Sequence, residues 1–195
     1  MACSWSHKEM TRVSSERIIV KAAIECDLAA VQRMIEADPS LINARDEDGS
    51  TLLHEAAMFG GVDLVAWLLD KGLDVNAKED DGNTPLMDAV LLPVPAMKGT
   101  MESTVRLLLR RGADINAVNK AGNTALWIAE HMLVGTHKEF ADLFPPEVWV
   151  RWRAAIKILR EHGAKGSTKQ AGRASLGCGI MALVVVAIGV IAIVA

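Results

Sequence analysis

Cysteine is scarce in this sequence. The three cysteines, Cys3, Cys26 and Cys178, lie far apart, are odd in number and lack the spacing of metal ligands. A disulfide framework needs paired cysteines at regular spacings, and a zinc site needs ligands close together in sequence. The cysteine content therefore argues against both and favours reduced thiols in a cytosolic compartment.

Catalytic motifs are also missing. His54-Glu55 begins like a zinc-protease motif, but Met58 stands where the second histidine must be. Three further histidines lack the spacing of metal ligands: His131, His137 and His162. The glycines form no phosphate-binding loop. We therefore expect no catalytic residues, no bound metal and no cofactor.

Two further absences concern targeting and charge. The N-terminus has no long apolar core behind a basic start, so it does not resemble a secretory signal. All 45 Lys, Arg, Asp and Glu residues precede Leu176. The net charge of −3 hides an asymmetry, because residues 45–81 hold ten acids and three bases, whereas residues 147–173 hold seven bases and two acids. The middle of the chain is acidic and its later part is basic.

The segment Gly49–Ala77 carries two short helical patterns with a glycine turn between them and a glycine after the second. Thr51 can cap the first helix, because its hydroxyl accepts backbone N–H groups that have no partner within the helix. Gly60 and Gly72 stand where the helices should end, since glycine adopts a positive φ at little cost. Four residues of the second helix share an apolar face: Leu64, Val65, Leu68 and Leu69. So short a unit needs copies stacked beside it.

Such copies are present. Gly49 and Gly82 lie 33 residues apart, and the segments TLLHEA, TPLMDA and TALWIA follow Gly49, Gly82 and Gly122 in turn. The chain resembles ankyrin repeats, which have a period of about 33 residues and a T-P-L-H-x-A signature. The resemblance implies an all-α solenoid of paired helices with β-hairpin-type loops, followed here by a single C-terminal hydrophobic helix.

The expected organisation has four parts: a flexible N-terminal arm over 1–14, a repeat domain over 15–164, a basic linker over 165–175 and a hydrophobic helix over 176–195. The repeats cover about 15–44, 45–77, 78–117 and 118–164. In the first repeat Cys26-Asp27 replaces the usual glycine turn, which fits a terminal repeat that caps the stack.

Two repeats are lengthened between their first and second helices, by Leu92–Thr100 in repeat three and by Val134–Pro146 in repeat four. Such additions often mark a functional surface, although tolerated loop drift explains them equally well. Pro145-Pro146-Glu147 is typical of a helix start. Trp149 and Trp152 follow at helical spacing, so we expect a closing helix whose tryptophans cover the last repeat. The alternative is that the tryptophans and the arginines of this helix also meet lipid headgroups.

Residues 176–195 are apolar on every side, and as a helix they would be about 30 Å long, enough to cross a bilayer's hydrocarbon layer. We therefore predict a transmembrane helix. Lys165, Lys169 and Arg173 precede this segment, and no charged side chain follows it. The positive-inside rule then leaves the repeats in the cytoplasm, as in a single-pass, tail-anchored protein.

The resemblance also implies a structural role for His54, whose ring would bond the Thr51 hydroxyl and the nearby backbone. Met87 and Trp127 occupy the equivalent positions and cannot make these bonds. Repeats three and four should therefore lack this polar brace.

The resemblance to ankyrin repeats implies contact residues at the hairpin tips and on the exposed face of each first helix. They are Glu47, Asp48, Ser50, Met58, Phe59, Asp80, Asp81, Asn83, Leu91, Leu92, Lys120, Asn123, His131 and Met132. Met, Phe and Leu edged by carboxylates predict a partner segment that is basic and amphipathic. The acidic edge argues against nucleic acid, whose phosphates it would repel. Some of these residues could instead pack between repeats.

We interpret the chain as a protein-binding module that acts as an adaptor, scaffold or inhibitor, tethered to the cytoplasmic face of a membrane by 176–195. One alternative is a soluble oligomeric ankyrin protein whose apolar tail packs between subunits. A second is an enzyme with a site in 134–146, for which Glu139 and Asp142 are the acid–base residues present. The sequence leaves the partner, the membrane and the oligomeric state open.

Overall fold

The computed structural model describes residues 7–91, 101–140 and 146–166, and these ranges contain eight α-helices and one 3₁₀ helix. In chain order they are α1 His7–Ile24, α2 Leu28–Ala37, the 3₁₀ helix Pro39–Asn43, α3 Leu52–Met58, α4 Val62–Asp70, α5 Pro85–Asp88, α6 Met101–Arg110, α7 Ala125–Phe140 and α8 Pro146–Glu161.

The helices form four pairs, and the pairs stack. Successive helices pack on one another as α1–α2, α3–α4, α5–α6 and α7–α8. Between pairs, the first helices stack in the order α1, α3, α5, α7, and the second helices α4, α6 and α8 stack in the same way. Helix α5 has only four residues, and an isolated helix this short is unstable in water. Packing against α3 on one side and α7 on the other stabilises it. The predicted all-α solenoid of paired helices is confirmed.

The loops between pairs are turns without β-strands in the described ranges. The β-type pairing found there is one isolated bridge between Arg45 and Thr51. Asp46 N donates to Ser50 O at 3.0 Å, and Gly49 N donates to Asp46 O at 3.2 Å. Because the loop closes over so few residues, it has no room for a longer ladder. The expected β-hairpin character is therefore limited to a turn and a bridge.

His54 is fully buried and braces the start of α3. Its Nδ1 lies 2.9 Å from the Thr51 hydroxyl oxygen and 3.2 Å from Thr51 N, and its Nε2 lies 3.3 Å from Asn83 O. The Thr51 hydroxyl in turn accepts a hydrogen bond from Leu53 N at 3.3 Å. These contacts confirm both the predicted cap and the predicted role of His54.

Repeats three and four differ at this position, as predicted. In repeat three the Thr84 hydroxyl is buried without a hydrogen-bond partner, and Met87 replaces the histidine. In repeat four the Thr124 hydroxyl finds other partners. It accepts from Trp127 N at 3.2 Å and donates to Lys165 O at 3.0 Å. The imidazole brace is therefore confined to repeat two among these three repeats.

The N-terminal boundary differs from the prediction. Helix α1 begins at His7, inside the arm predicted over 1–14, because 7–14 contains no proline or glycine that would stop a helix. The turn after α1 follows the prediction. Cys26 adopts a φ of +51° there, where the equivalent Gly60 adopts +73°.

Helix α8 closes the stack with buried tryptophans. Trp149 is 7% exposed and Trp152 is 1% exposed. Trp152 Nε1 donates to Val90 O at 2.8 Å, so the indole joins α8 to the segment that follows α5 in repeat three. This confirms that the tryptophans cover the last repeats. The alternative that they meet lipid headgroups is wrong for this pair, because their rings are occupied by protein contacts.

The structure describes only part of the predicted insertions and linker, and it does not describe the predicted C-terminal helix. In repeat four, α7 continues to Phe140, so residues 134–140 of the predicted insertion 134–146 extend a helix. The insertion at 92–100, including Leu92, lies outside the described residues, as do 141–145, most of the linker 165–175 and the predicted transmembrane helix 176–195. Among the described helices, none combines the length and the apolar composition that a membrane span requires.

Candidate protein-binding surface

Three equivalent turns, 46–50, 79–83 and 119–123, connect the helix pairs, and we call them the inter-repeat turns. In each, the first residue's N–H donates to the fifth residue's carbonyl, at 3.0, 3.2 and 3.1 Å respectively. The fourth residue is always glycine with positive φ, between +76° and +80°. The recurring glycine and the acidic or amide first residue come directly from the repeated sequence, so each turn forms locally.

The inter-repeat turns are joined to one another by backbone hydrogen bonds. Asp80 N donates to Asp48 O at 3.0 Å, and Lys120 N donates to Asp81 O at 2.9 Å. The contact between the first two turns is close, since a Cβ added to Gly49 would lie 2.6 Å from Asp80 Oδ1. The turns thus form a fixed row, which holds the side chains at their tips in a defined order.

Carboxylates occupy the exposed positions of the first two turns. Glu47, Asp48, Asp80 and Asp81 are all exposed. None of them takes part in the ion pairs found in the described part of the chain. The nearby cations are directed elsewhere. Arg45 donates to the carbonyls of Gly49 and Lys78, and Lys78 Nζ donates to Val118 O at 2.9 Å. The row is therefore acidic at its first two turns, and the exposed Lys120 stands on the third.

The polar residues predicted for contact lie within the row rather than on its outside. Ser50 is 3% exposed, and its hydroxyl donates to Glu79 Oε2 at 2.7 Å. Asn83 is half-buried and its amide donates to Glu79 Oε1. Asn123 is 8% exposed. These side chains stabilise the turns and are buried or half-buried, so the prediction that they are exposed for contact with a partner is wrong.

The predicted apolar strip is largely buried, which corrects the expectation of an exposed face. Met58, Leu91 and Met132 are 8%, 8% and 4% exposed, because the first helices stack on one another and α7 is also covered by α8. Phe59 is half-buried, and His131 is exposed and stacks on Trp127 with ring centroids 3.6 Å apart. The exposed residues that the structure brings together are thus mainly carboxylates.

Sequence reasoning missed two buried acids, Glu55 in α3 and Asp88 in α5. They are 6% and 0% exposed and occupy equivalent positions, 33 residues apart. The signal was present, since each acid follows the signature histidine position within an otherwise apolar helix. In repeat four the same position holds Ile128, which is 4% exposed. An apolar residue therefore satisfies the packing at this position.

The surroundings of these acids oppose ionisation. Burial raises the pKa of Glu55 to about 8, and the neighbouring Asp46 carboxylate adds to the shift by charge and by a hydrogen bond. Burial also raises the pKa of Asp88 well above its ordinary value, with Glu79 and Glu55 adding to it. Glu79 likewise has a raised pKa, mainly through burial. Burial lowers the pKa of His54, so this imidazole is neutral at pH 7. Within the described ranges, no three His, Cys, Asp or Glu side chains are arranged to hold a metal ion.

Comparison with known proteins agrees with the stacked helix pairs. The family model described as "Ankyrin repeats (3 copies)" matches residues 19–93, and the model described as "Ankyrin repeat" matches residues 81–120. The chain contains ankyrin repeats. Such repeats are protein-interaction modules, so the chain is an ankyrin-repeat protein with a surface of the protein-binding kind.

Individual relatives match over short stretches. The chain is 48% identical over 82 residues to the serine/threonine-protein kinase VIK of Arabidopsis thaliana, covering 42% of this chain and 19% of the kinase. It is 39% identical over 61 residues to ankyrin repeat domain-containing protein 49 of Homo sapiens, covering 31% of this chain and 26% of that protein. An ankyrin repeat-containing protein of Schizosaccharomyces pombe is 46% identical over 44 residues, covering 23% of this chain and 21% of that protein. The chain thus spans about a quarter or less of these relatives.

Proposed function

We propose that the inter-repeat turns bind a basic, amphipathic segment of another protein. The observation that carries this proposal is the set of four exposed carboxylates on adjacent turns: Glu47, Asp48, Asp80 and Asp81. The neighbouring Arg45 and Lys78 donate to backbone carbonyls and leave these carboxylates unpaired. A row of like charges on a fixed backbone attracts a basic partner and repels an acidic one, which sets encounter rate and specificity.

The apolar share of the contact is smaller than the sequence indicated. Phe59 keeps part of its ring at the surface, while the nearby Met58 belongs to the core. We therefore assign most of the specificity to charge and a limited part to apolar contact. Strong dependence on salt follows, since exposed charges are screened over about 10 Å at 0.1 M ionic strength.

A fluorescently labelled basic amphipathic peptide tests the proposal by anisotropy against the full-length chain. In D80N/D81N the affinity should fall between about twofold and thirtyfold, since an exposed ion pair contributes about 0.2–1 kcal/mol. The matched control is E36Q/D63N, which removes the same charge from exposed sites on α2 and α4. Equal weakening in both variants would show attraction to net charge alone and would refute the assignment to the turns.

We also propose that residues 176–195 tether the repeats to a membrane, with the repeats in the cytoplasm. Support comes from the twenty uncharged apolar residues and from Lys165, Lys169 and Arg173 ahead of them. Proteoliposome flotation should carry the full chain to the top of the gradient and leave a chain ending at 175 at the bottom. If neither floats and the full chain sediments as an oligomer, the tail packs between subunits instead.

A further inference from the structure

Asp88 in α5 is fully buried, and both of its carboxyl oxygens lack a hydrogen-bond partner. Among the described residues, the charged groups that act on it are Glu79, in the turn before α5, together with Glu55 and Asp46 of repeat two. All of them are acidic. Helices α6 and α7 also pack against α5, but their described residues contribute no charge to this set. A buried carboxyl in such surroundings either stays neutral or pairs with a cation from outside the described residues.

The acids follow one another from the surface inward. Asp48 and Asp80 are exposed at the turn tips, Glu79 is half-buried, and Glu55 and Asp88 are buried. The Glu79 carboxylate is held in place by the Ser50 hydroxyl and the Asn83 amide. The acidic surface of the inter-repeat turns therefore continues into the stack between α3 and α5, which pack against each other.

From this arrangement we propose that Asp46, Glu55, Glu79 and Asp88 form a subsite for one arginine side chain of the docked segment. A guanidinium carries five N–H donors in a plane and can satisfy two carboxylates at once, which suits the two unpartnered oxygens of Asp88 and the neighbouring half-buried Glu79 carboxylate. This inference rests on the proposed binding function. It specifies that the inter-repeat turns select an arginine in the bound segment.

Packing alone does not demand acids here. Ile128 fills the equivalent position of repeat four, so an apolar side chain is compatible with stacking. Repeats two and three carry acids at a position where burial opposes their charge, and a cationic ligand would compensate that charge. Binding of the guanidinium then favours the ionised carboxylates and releases the protons that the free protein holds.

Carboxyl carbon NMR of the full-length chain follows the titration of Glu55 and Asp88 directly. The probe is N-acetyl-arginine amide, and its control is N-acetyl-citrulline amide, which has the same shape without the charge. At equal ionic strength we expect the arginine compound to lower both titration midpoints by about one pH unit, a typical effect of an adjacent opposite charge. The citrulline compound should leave them in place, and in E55Q/D88N the response of Glu79 should be lost.

Three results would overturn the subsite: equal effects of both compounds, no effect of either, or a lowering by calcium chloride that the arginine compound does not produce. The variant D80N/D81N separates the two proposals. If it binds the basic peptide normally while Asp88 of the parent responds to arginine, the turn surface is wrong and the subsite stands. If it loses the peptide while Asp88 of the parent ignores arginine, the subsite is wrong and the turn surface stands.

Discussion

Replacing Glu55 by glutamine should stabilise the protein at neutral pH and leave its stability unchanged in acid. Glu55 is 6% exposed, and its pKa is raised to about 8, first by burial and then by the nearby Asp46 carboxylate. Glutamine keeps the length of the side chain and its capacity for hydrogen bonds but never ionises. The substitution therefore removes the electrostatic cost with little change in packing.

The sign follows from proton linkage. The folded state binds the Glu55 proton more tightly than the unfolded state, so stability falls as pH rises between the two pKa values. With an ordinary value of 4.5 and a folded value of about 8, the cost is absent below about pH 4, grows through neutral pH and levels off above pH 8. At pH 7 the electrostatic cost has accumulated over about 2.5 pH units above the ordinary pKa of 4.5. At about 1.36 kcal/mol per unit, the cost is about 3 kcal/mol.

Urea unfolding followed by far-ultraviolet circular dichroism, at pH values from acid to mildly alkaline, measures this difference. E55Q should exceed the parent by about 3 kcal/mol at pH 7 and by nearly nothing at pH 4. The control is E47Q, since Glu47 belongs to the adjacent turn and is exposed. A difference that stays constant with pH would refute the reasoning, because it would come from packing rather than from ionisation.

Four further substitutions test local parts of the fold by thermal unfolding. G49A should lower the free energy of unfolding more than G72A. Both glycines have a positive φ, but an added Cβ would lie 2.6 Å from a carboxylate oxygen at Gly49 and would meet nothing within 4 Å at Gly72. We expect G72A to lower the stability by about 1 kcal/mol. W152F should cost about 1–3 kcal/mol, since it leaves a buried backbone carbonyl unpaired. M87H should gain about 1 kcal/mol if the imidazole reaches the unpartnered hydroxyl of Thr84, and a loss would show that the buried Met87 packs too tightly to be replaced.

The repeat architecture was predictable because its signals are local and recur. Thr51 and His54 lie three residues apart, so the cap and the brace depend on a single helical turn. The glycines of the inter-repeat turns mark positive φ wherever they recur, and even Cys26 could be placed at such a position by its spacing. These features need little information from distant parts of the chain.

The exposure of single side chains was not predictable in the same way. Met58 at the end of α3 and Leu91 after α5 occupy equivalent positions, and whether they face solvent depends on the helices stacked on either side. The start of α1 at His7 has a related cause, since no local breaker separates an arm from a helix there. Stacking geometry decides such questions, and a repeat sequence specifies it only through neighbours on both sides.

The buried acids show why these two kinds of information must be combined. In the sequence alone, Glu55 belongs to an incomplete zinc-protease motif, and no catalytic or metal-binding motif contains Asp88. The structure shows equivalent positions in adjacent repeats, both buried, with an isoleucine at the same position of repeat four. Positions where a protein departs from its own local pattern at a cost in stability are often functional. Here that cost has a direct consequence: if E55Q/D88N gains stability and also loses the response to the arginine compound, the same carboxyls would weaken the free fold and bind the cation.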